Sequence, residues 1–199
     1  MQVTASLRDR IGPNAILQVI EAVTATKGES ACEALFSFAG LLHHLAVKPT
    51  EMVSEHDVAT LQRALRERFG AEEARALSWD AGLRTGDYLL ANRIPKFAQV
   101  MLRFVSAPFA ARILAGAIAK HSWTFAGSGT FSFRPGKPFV FEIVNNPLCS
   151  QIKAEEPLCD FYAATFERIF RAIVHPSSRV VETRCEASGD GACVFEVRW

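Results

Sequence analysis

Glu182 and Cys185 stand three positions apart near the end of the chain, Cys193 follows after seven intervening residues, and Cys159 precedes all three. Thiolates are strong zinc ligands, and three sulfurs with one carboxylate fill a tetrahedral shell. Ser188-Gly189-Asp190-Gly191 reads as a tight turn between Cys185 and Cys193, so the two thiols can meet across a hairpin. Pro157 suits the first turn of a following helix, which puts Cys159 near a helix N-terminus where the dipole favours its thiolate. In a regular strand, residues three apart face opposite ways, so Glu182 needs a bulge to join Cys185. A closed shell of this kind is structural rather than catalytic. The plainer reading is that these are small buried apolar side chains. Cys32 and Cys149 have no partner at comparable spacing and read as buried bystanders.

Other catalytic patterns are missing from the sequence. There is no G-x-S-x-G elbow, no H-E-x-x-H and no P-loop. Gly127-Ser128-Gly129 lacks the third glycine and the following helix of a dinucleotide fingerprint. No run of closely spaced cysteines suits an iron–sulfur cluster.

Residues in such a shell must be positioned by a core, and 199 residues with 49% hydrophobic content can build a large one. A net charge of +1 with scattered Lys and Arg argues against nucleic acid as a partner. The opening residues 1–18 lack the basic and apolar regions of a signal peptide, so the expected compartment is reducing and the five cysteines are expected as thiols or metal ligands. Phe97 to Ala119 is the most apolar stretch, but Arg103, Arg112 and Pro108 within it argue for two packed helices and against a transmembrane segment.

The first two thirds read as helix. Ile16, Ile20 and Val23 share one face and Gly28 ends that segment. Ser30 with Glu33 forms a capping-box pattern before a helix over 31–47. Ser54 suits the cap of a helix ending at Gly70, and the next runs from Ala71 to Asn92, with Gly82 and Gly86 spaced for close packing. A break near Pro108 divides the following pair. After His121, alternating aromatics at Trp123, Phe125, Phe131 and Phe133, a turn at 134–138 and PFVFEIV predict a hairpin. A helix with Tyr162, Phe166, Phe170 and Ile173 on its apolar face and a second hairpin complete the chain. The expected fold class is α+β. Its N-terminal helices (1–95) pack with an antiparallel sheet made of two hairpins (96–199), in one compact domain.

The segments NNPLC, EEPLCDFYAATFERIF and VETRCEASGDGACVFEV resemble the 4-vinyl reductase domain family, which is similar to subunits of a Golgi-tethering complex. RIGPNAILQ, AGLRTGDYLLANRIP and HSWTFAGSGTF resemble its bacteriochlorophyll-biosynthesis branch, so the likeness covers nearly the whole chain. The resemblance implies a cavity for a hydrophobic small molecule, often in a homodimer, and a role in the magnesium-tetrapyrrole pathway. It also implies a cytoplasmic protein, with peripheral placement at the photosynthetic membrane as an option, and pathway partners such as magnesium chelatase or the methyltransferase. Sensor members look similar at the cysteines, with a zinc site from the residues matching Cys159, Glu182, Cys185 and Cys193. The family name denotes reduction of a ring vinyl group, which needs an electron source for which the chain has no motif. Carriage of a magnesium-tetrapyrrole is therefore the first expectation, 8-vinyl reductase activity the second, and a sensing or scaffold module with structural zinc the third.

A tetrapyrrole needs a flat apolar slot, cations for its propionates and an axial ligand for magnesium. Met101, Phe104, Trp123 and Phe125 supply walls, Arg103 and Arg112 the cations, and His121 the axial ligand. Phe97, Phe109 and Ile113 add to the apolar supply. The plainer reading makes the aromatics ordinary core and His121 a hydrogen-bonded junction residue. His43 and His44 are adjacent, so at most one faces the core, and His56 reads as a solvated first-turn residue.

Overall fold

The computed structural model describes residues 9–199, so the first eight residues of the leader reading lie outside it. In chain order the elements begin with β1 (Arg10–Ile11), α1 (Asn14–Lys27), α2 (Glu29–Phe38), α3 (His43–Ala46), β2 (Val53–Ser54), α4 (Glu55–Phe69) and α5 (Ala71–Asn92). Next come α6 (Lys96–Arg103), α7 (Ala107–Lys120), β3 (Thr130–Arg134), β4 (Phe139–Val144), α8 (Asp160–Ile173), β5 (Arg179–Arg184) and β6 (Cys193–Arg198). The architecture is α+β. The two hairpins join through β4 and β6 into one antiparallel sheet of order β3-β4-β6-β5.

Helix α8 organises the core because it is buried on both sides. Phe166 and Phe170 meet Phe141 of the sheet at ring separations of 4.7 and 5.4 Å. Its opposite face packs on α5. A Cβ at Gly82 would collide with the Phe161 carbonyl, and one at Gly86 would lie 2.6 Å from the Arg168 Cβ. Glycine at both positions therefore permits the close approach. The Thr165 hydroxyl lies within bonding reach of the Gly82 carbonyl (3.0 Å) and the Phe161 carbonyl (2.7 Å).

Several local expectations are corrected. Gly28, at φ 87°, turns the chain in a single residue, so α2 starts at Glu29 and Ser30 falls inside its first turn without capping it. The helix expected over 31–47 stops at Phe38, before Gly40 at φ 71°, and α3 is a separate turn. Ser54 does cap α4, its hydroxyl accepting from the His56 amide at 3.2 Å. The break between α6 and α7 falls at 104–106, with Pro108 inside the first turn of α7, where its missing N–H is harmless. Trp123 sits in a 3-10 turn (Ser122–Thr124) and Phe125 just after it, so the first strand starts only at Thr130. The carbonyl of Phe125 is taken by the Tyr162 hydroxyl at 2.6 Å, which holds this segment against α8 and outside the sheet.

Candidate metal centre and ligand cleft

Four elements deliver four sulfurs to one buried point. Cys149 comes from the loop after β4, Cys159 from the residue before α8, Cys185 from the end of β5 and Cys193 from the start of β6. All four are buried, and all four Sγ atoms lie within 4.8 Å of one another. Cys149 is 3.7 Å from Cys193, while Cys159–Cys185, Cys159–Cys193 and Cys185–Cys193 are each 3.8 Å apart. A tetrahedron with metal–sulfur bonds of about 2.3 Å has edges of about 3.8 Å, so the donor set fits a zinc-sized ion.

The set differs from the sequence expectation at one corner. Cys149, read as a bystander, is the fourth sulfur. Glu182 does lie beside the cluster, helped by a register shift between Glu182 and Arg184. Its carboxylate, however, accepts the Cys159 backbone amide at 2.6 Å and so braces a ligand loop from outside. Burial, and next the neighbouring Cys185, push the Glu182 carboxyl up to about 8. Cys32 remains apart, within 3.9 Å of the Ile20 carbonyl.

Two more acids do the same work as Glu182. Glu186 accepts the amides of Asn145 and Asn146 at 2.6 Å each, fixing the loop that carries Cys149, and Asp190 accepts the Cys185 amide at 2.9 Å. The Asn146 side-chain amide donates to Cys159 Sγ at 3.2 Å, and the Glu186 amide approaches Cys193 Sγ at 3.5 Å. Such donors disperse thiolate charge and orient metal ligands. Without a cation the cluster holds one thiolate at most. Hydrogen bonds from Cys149, Cys159 and Cys193 pull the Cys185 thiol well below its ordinary range. Burial raises Cys159, and the contact with Cys149 raises Cys193. Ionising all four sulfurs in a buried site requires a positive ion.

The residues expected around a tetrapyrrole do not converge. Met101 and Phe104 point into solvent, Phe104 at 86% exposure. The Arg103 side chain donates to the Ala172 carbonyl at 2.7 Å, tying α6 to the end of α8. Phe125 packs edge-on against Phe131 and Tyr162, at 5.4 and 5.8 Å. Trp123 is half exposed, and His121 is exposed at the end of α7. Arg112 alone lines a cleft: a space of about 640 Å³ between the start of α7, the β3–β4 turn and the C-terminus. Its walls include Pro108, Phe139, Val197 and Trp199, and its cations are Arg112, Lys137 and Arg198. The turn and C-terminal residues were missed because a cleft between distant segments leaves no periodic trace. A second space, of about 490 Å³ between α5 and β5, is lined by Glu156, Asp160, Glu167 and Glu182. Its arginines already face acids: Arg75 is 3.4 Å from Asp160, and Arg179 is 3.6 Å from Glu167.

His44 is buried and His43 exposed; their Nε2 atoms lie 2.9 and 3.6 Å from Asp57 Oδ2. His56 is exposed, with Nδ1 3.2 Å from the Gln151 amide.

The 4-vinyl reductase domain model matches residues 139–199, the part that carries every cysteine of the cluster. A bacteriochlorophyll synthase 23 kDa chain of Cereibacter sphaeroides is 47% identical over 192 residues, covering 96% of this chain and 92% of the relative. The chain belongs to the bacteriochlorophyll synthase 23 kDa chain family. A second member, from Rhodobacter capsulatus, is 42% identical across 94% of this chain and 85% of its own. Beyond the family, an H-NOX protein from K. algicida superposes with a TM-score of 0.63 over 94% of this chain and 96% of that one. At 10% identity this likeness describes the fold alone. Among the described residues no helix is long and apolar enough to cross a membrane.

Proposed function

We propose that the chain is an accessory protein of bacteriochlorophyll biosynthesis that binds a magnesium-tetrapyrrole intermediate in the Arg112–Lys137–Trp199 cleft and passes it to pathway enzymes. The observation that carries this reading is the chemistry of the cleft in a chain whose relatives are named bacteriochlorophyll synthase 23 kDa chains. At about 640 Å³ its size suits a small-molecule ligand. Aromatic and proline walls suit a flat ring, and cations at the rim suit its propionates. The acid-lined second space offers neither. Superposition on an H-NOX protein described for its haem distortion is compatible with a porphyrin ligand in this fold.

The four cysteines are assigned to a structural zinc. Held there, zinc would supply a fixed tetrahedral junction between the Cys149 loop, the start of α8 and the second hairpin, and no chemistry of transfer. The chain's own part is to hold the four sulfurs with Glu182, Glu186 and Asp190.

The test is an equilibrium titration of the purified protein with divinyl and monovinyl chlorophyllide, read by Soret absorption and by quenching of tryptophan fluorescence. A carrier binds both within about threefold, because vinyl and ethyl groups bury nearly equal area. It reduces neither when supplied with NADPH or reduced ferredoxin. Multiple-turnover reduction of the vinyl group replaces the carrier reading with the reductase one, and absence of any titration removes both.

A further inference from the structure

Helix α6 is built inside out. Phe97, Val100, Met101 and Phe104 follow i, i+3, i+4, i+7 spacing, the pattern that normally faces a core. Here they are 70, 52, 64 and 86% exposed. The residue that faces inward is Gln99, buried with its amide donating to the carbonyls of Leu90 at 2.6 Å and Ile94 at 2.8 Å. That bond pair anchors the helix by its polar side and fixes the apolar stripe outward. Phe109 and Ile113 of α7, at 55 and 44% exposure, extend the ridge. Exposed apolar surface of this extent on one face marks a docking site.

The charge around it identifies the partner. From Tyr88 to Phe141 the sequence holds seven Lys and Arg and no Asp or Glu, although the chain as a whole has 22 of the former and 21 of the latter. Among the described residues only Arg134 of these seven has a carboxylate partner, Glu142 at 3.1 Å. A second copy would bring the same unpaired cations face to face, so self-association through the ridge is opposed by like charge. An apolar stripe that enters the acyl boundary, flanked by cations at headgroup level, suits an anionic lipid surface. We propose that α6 and the first turns of α7 dock this protein on an anionic membrane, with Phe97, Met101 and Phe104 inserted. The cleft opens beside the same helix through Pro108 and Arg112, so docking places its mouth near the lipid surface. The docking itself does not depend on the tetrapyrrole reading.

Flotation with vesicles tests it. At low salt the protein is expected to float with phosphatidylcholine vesicles containing phosphatidylglycerol, and roughly tenfold less with phosphatidylcholine alone. The double variant Phe97→Ser, Phe104→Ser should lose about tenfold or more of the anionic binding. Because both side chains are exposed, its melting temperature and chlorophyllide titration should match the wild type. The proposal is overturned if the double variant binds vesicles like the wild type, or if neutral and anionic vesicles recover equal protein. It is also overturned if neither protein binds vesicles, including the case where a wild-type dimer becomes monomeric in the variant. If vesicle binding behaves as expected while chlorophyllide fails to titrate, docking stands and only the tetrapyrrole assignment falls.

Discussion

Cys149 Sγ lies 3.7 Å from Cys193 Sγ across 44 residues of chain, and that contact closes a four-sulfur cluster from which Glu182 is displaced. The consequence is a ligand set that metal analysis can separate from the alternative with one carboxylate. Wild-type protein prepared without chelator should carry about one zinc per chain. Cys149→Ser should lower zinc content well below that, as Cys185→Ser does, while Cys32→Ser leaves it unchanged. Glu182→Gln should keep the metal. Full zinc in Cys149→Ser combined with loss in Glu182→Gln would return the carboxylate to the inner shell.

Removing the metal should destabilise the fold, because the four sulfurs join a loop, a helix start and a hairpin. Metal binding to a site absent from the unfolded chain adds directly to folding stability. Dialysis against a strong chelator is expected to lower the melting temperature by about 10 °C or more, given the size of the protein. Readdition of zinc should restore it. A chelator-treated protein free of zinc and with an unchanged melting curve would mean that the sulfurs are merely packed thiols.

The sequence made three of the four sulfurs visible because they sit at strand ends and a helix start, where spacing translates into position. Cys149 stands in the irregular run Asn146-Pro147-Leu148-Cys149, which has no period to read. Its signal lay in the NNPLC segment of the family resemblance. The helices and both hairpins were legible for the same reason: alternation and 3.6-residue spacing report burial. Where burial fails to follow spacing, the reading fails. Met101 and Phe104 carry the stripe of a core-facing helix, yet Gln99 turns that stripe outward. Trp123 and Phe125 alternate like a strand, yet one is in a 3-10 turn and the other is held by Tyr162. The cleft joins Arg112 to Lys137 and Trp199 and was not visible in any local pattern.

Two glycines of the same composition should respond to alanine with opposite signs. At Gly82 the new methyl group meets the Phe161 carbonyl and lies 2.8 Å from the Ala164 Cβ, both on a packed helix that cannot give way cheaply. Gly82→Ala is expected to cost about 1–3 kcal/mol in urea unfolding. Gly116, exposed within α7, has nothing within 4 Å of the added carbon. Gly116→Ala should stabilise by roughly 0.5–1 kcal/mol through helix propensity. Equal effects at both sites would mean that α5 and α8 are not in contact through Gly82.

The cations of the cleft make a separate claim, that they read the carboxylates of the ligand and not its ring. Arg112 and Lys137 line the cleft, and among the described residues neither has a carboxylate partner of its own. Their charge is therefore free for an incoming propionate, at an exposed rim where each pair is worth about 1 kcal/mol or less. The single variants Arg112→Gln and Lys137→Gln should each weaken chlorophyllide binding by roughly fivefold, and raised salt should narrow that difference. A methyl-esterified pigment lacks the carboxylate, so it should bind more weakly to the wild type and with almost the same affinity to both variants. The quantity that decides is the coupling between esterification and Arg112→Gln in a double-mutant-style cycle. Coupling near zero, with both changes weakening binding independently, would show that Arg112 acts on the wall of the cleft or on its folding and does not meet the propionate. Trp199→Phe provides the control within the same cleft. It should reduce the fluorescence quenching on binding while leaving the esterification difference intact, because a ring wall does not sense the charge.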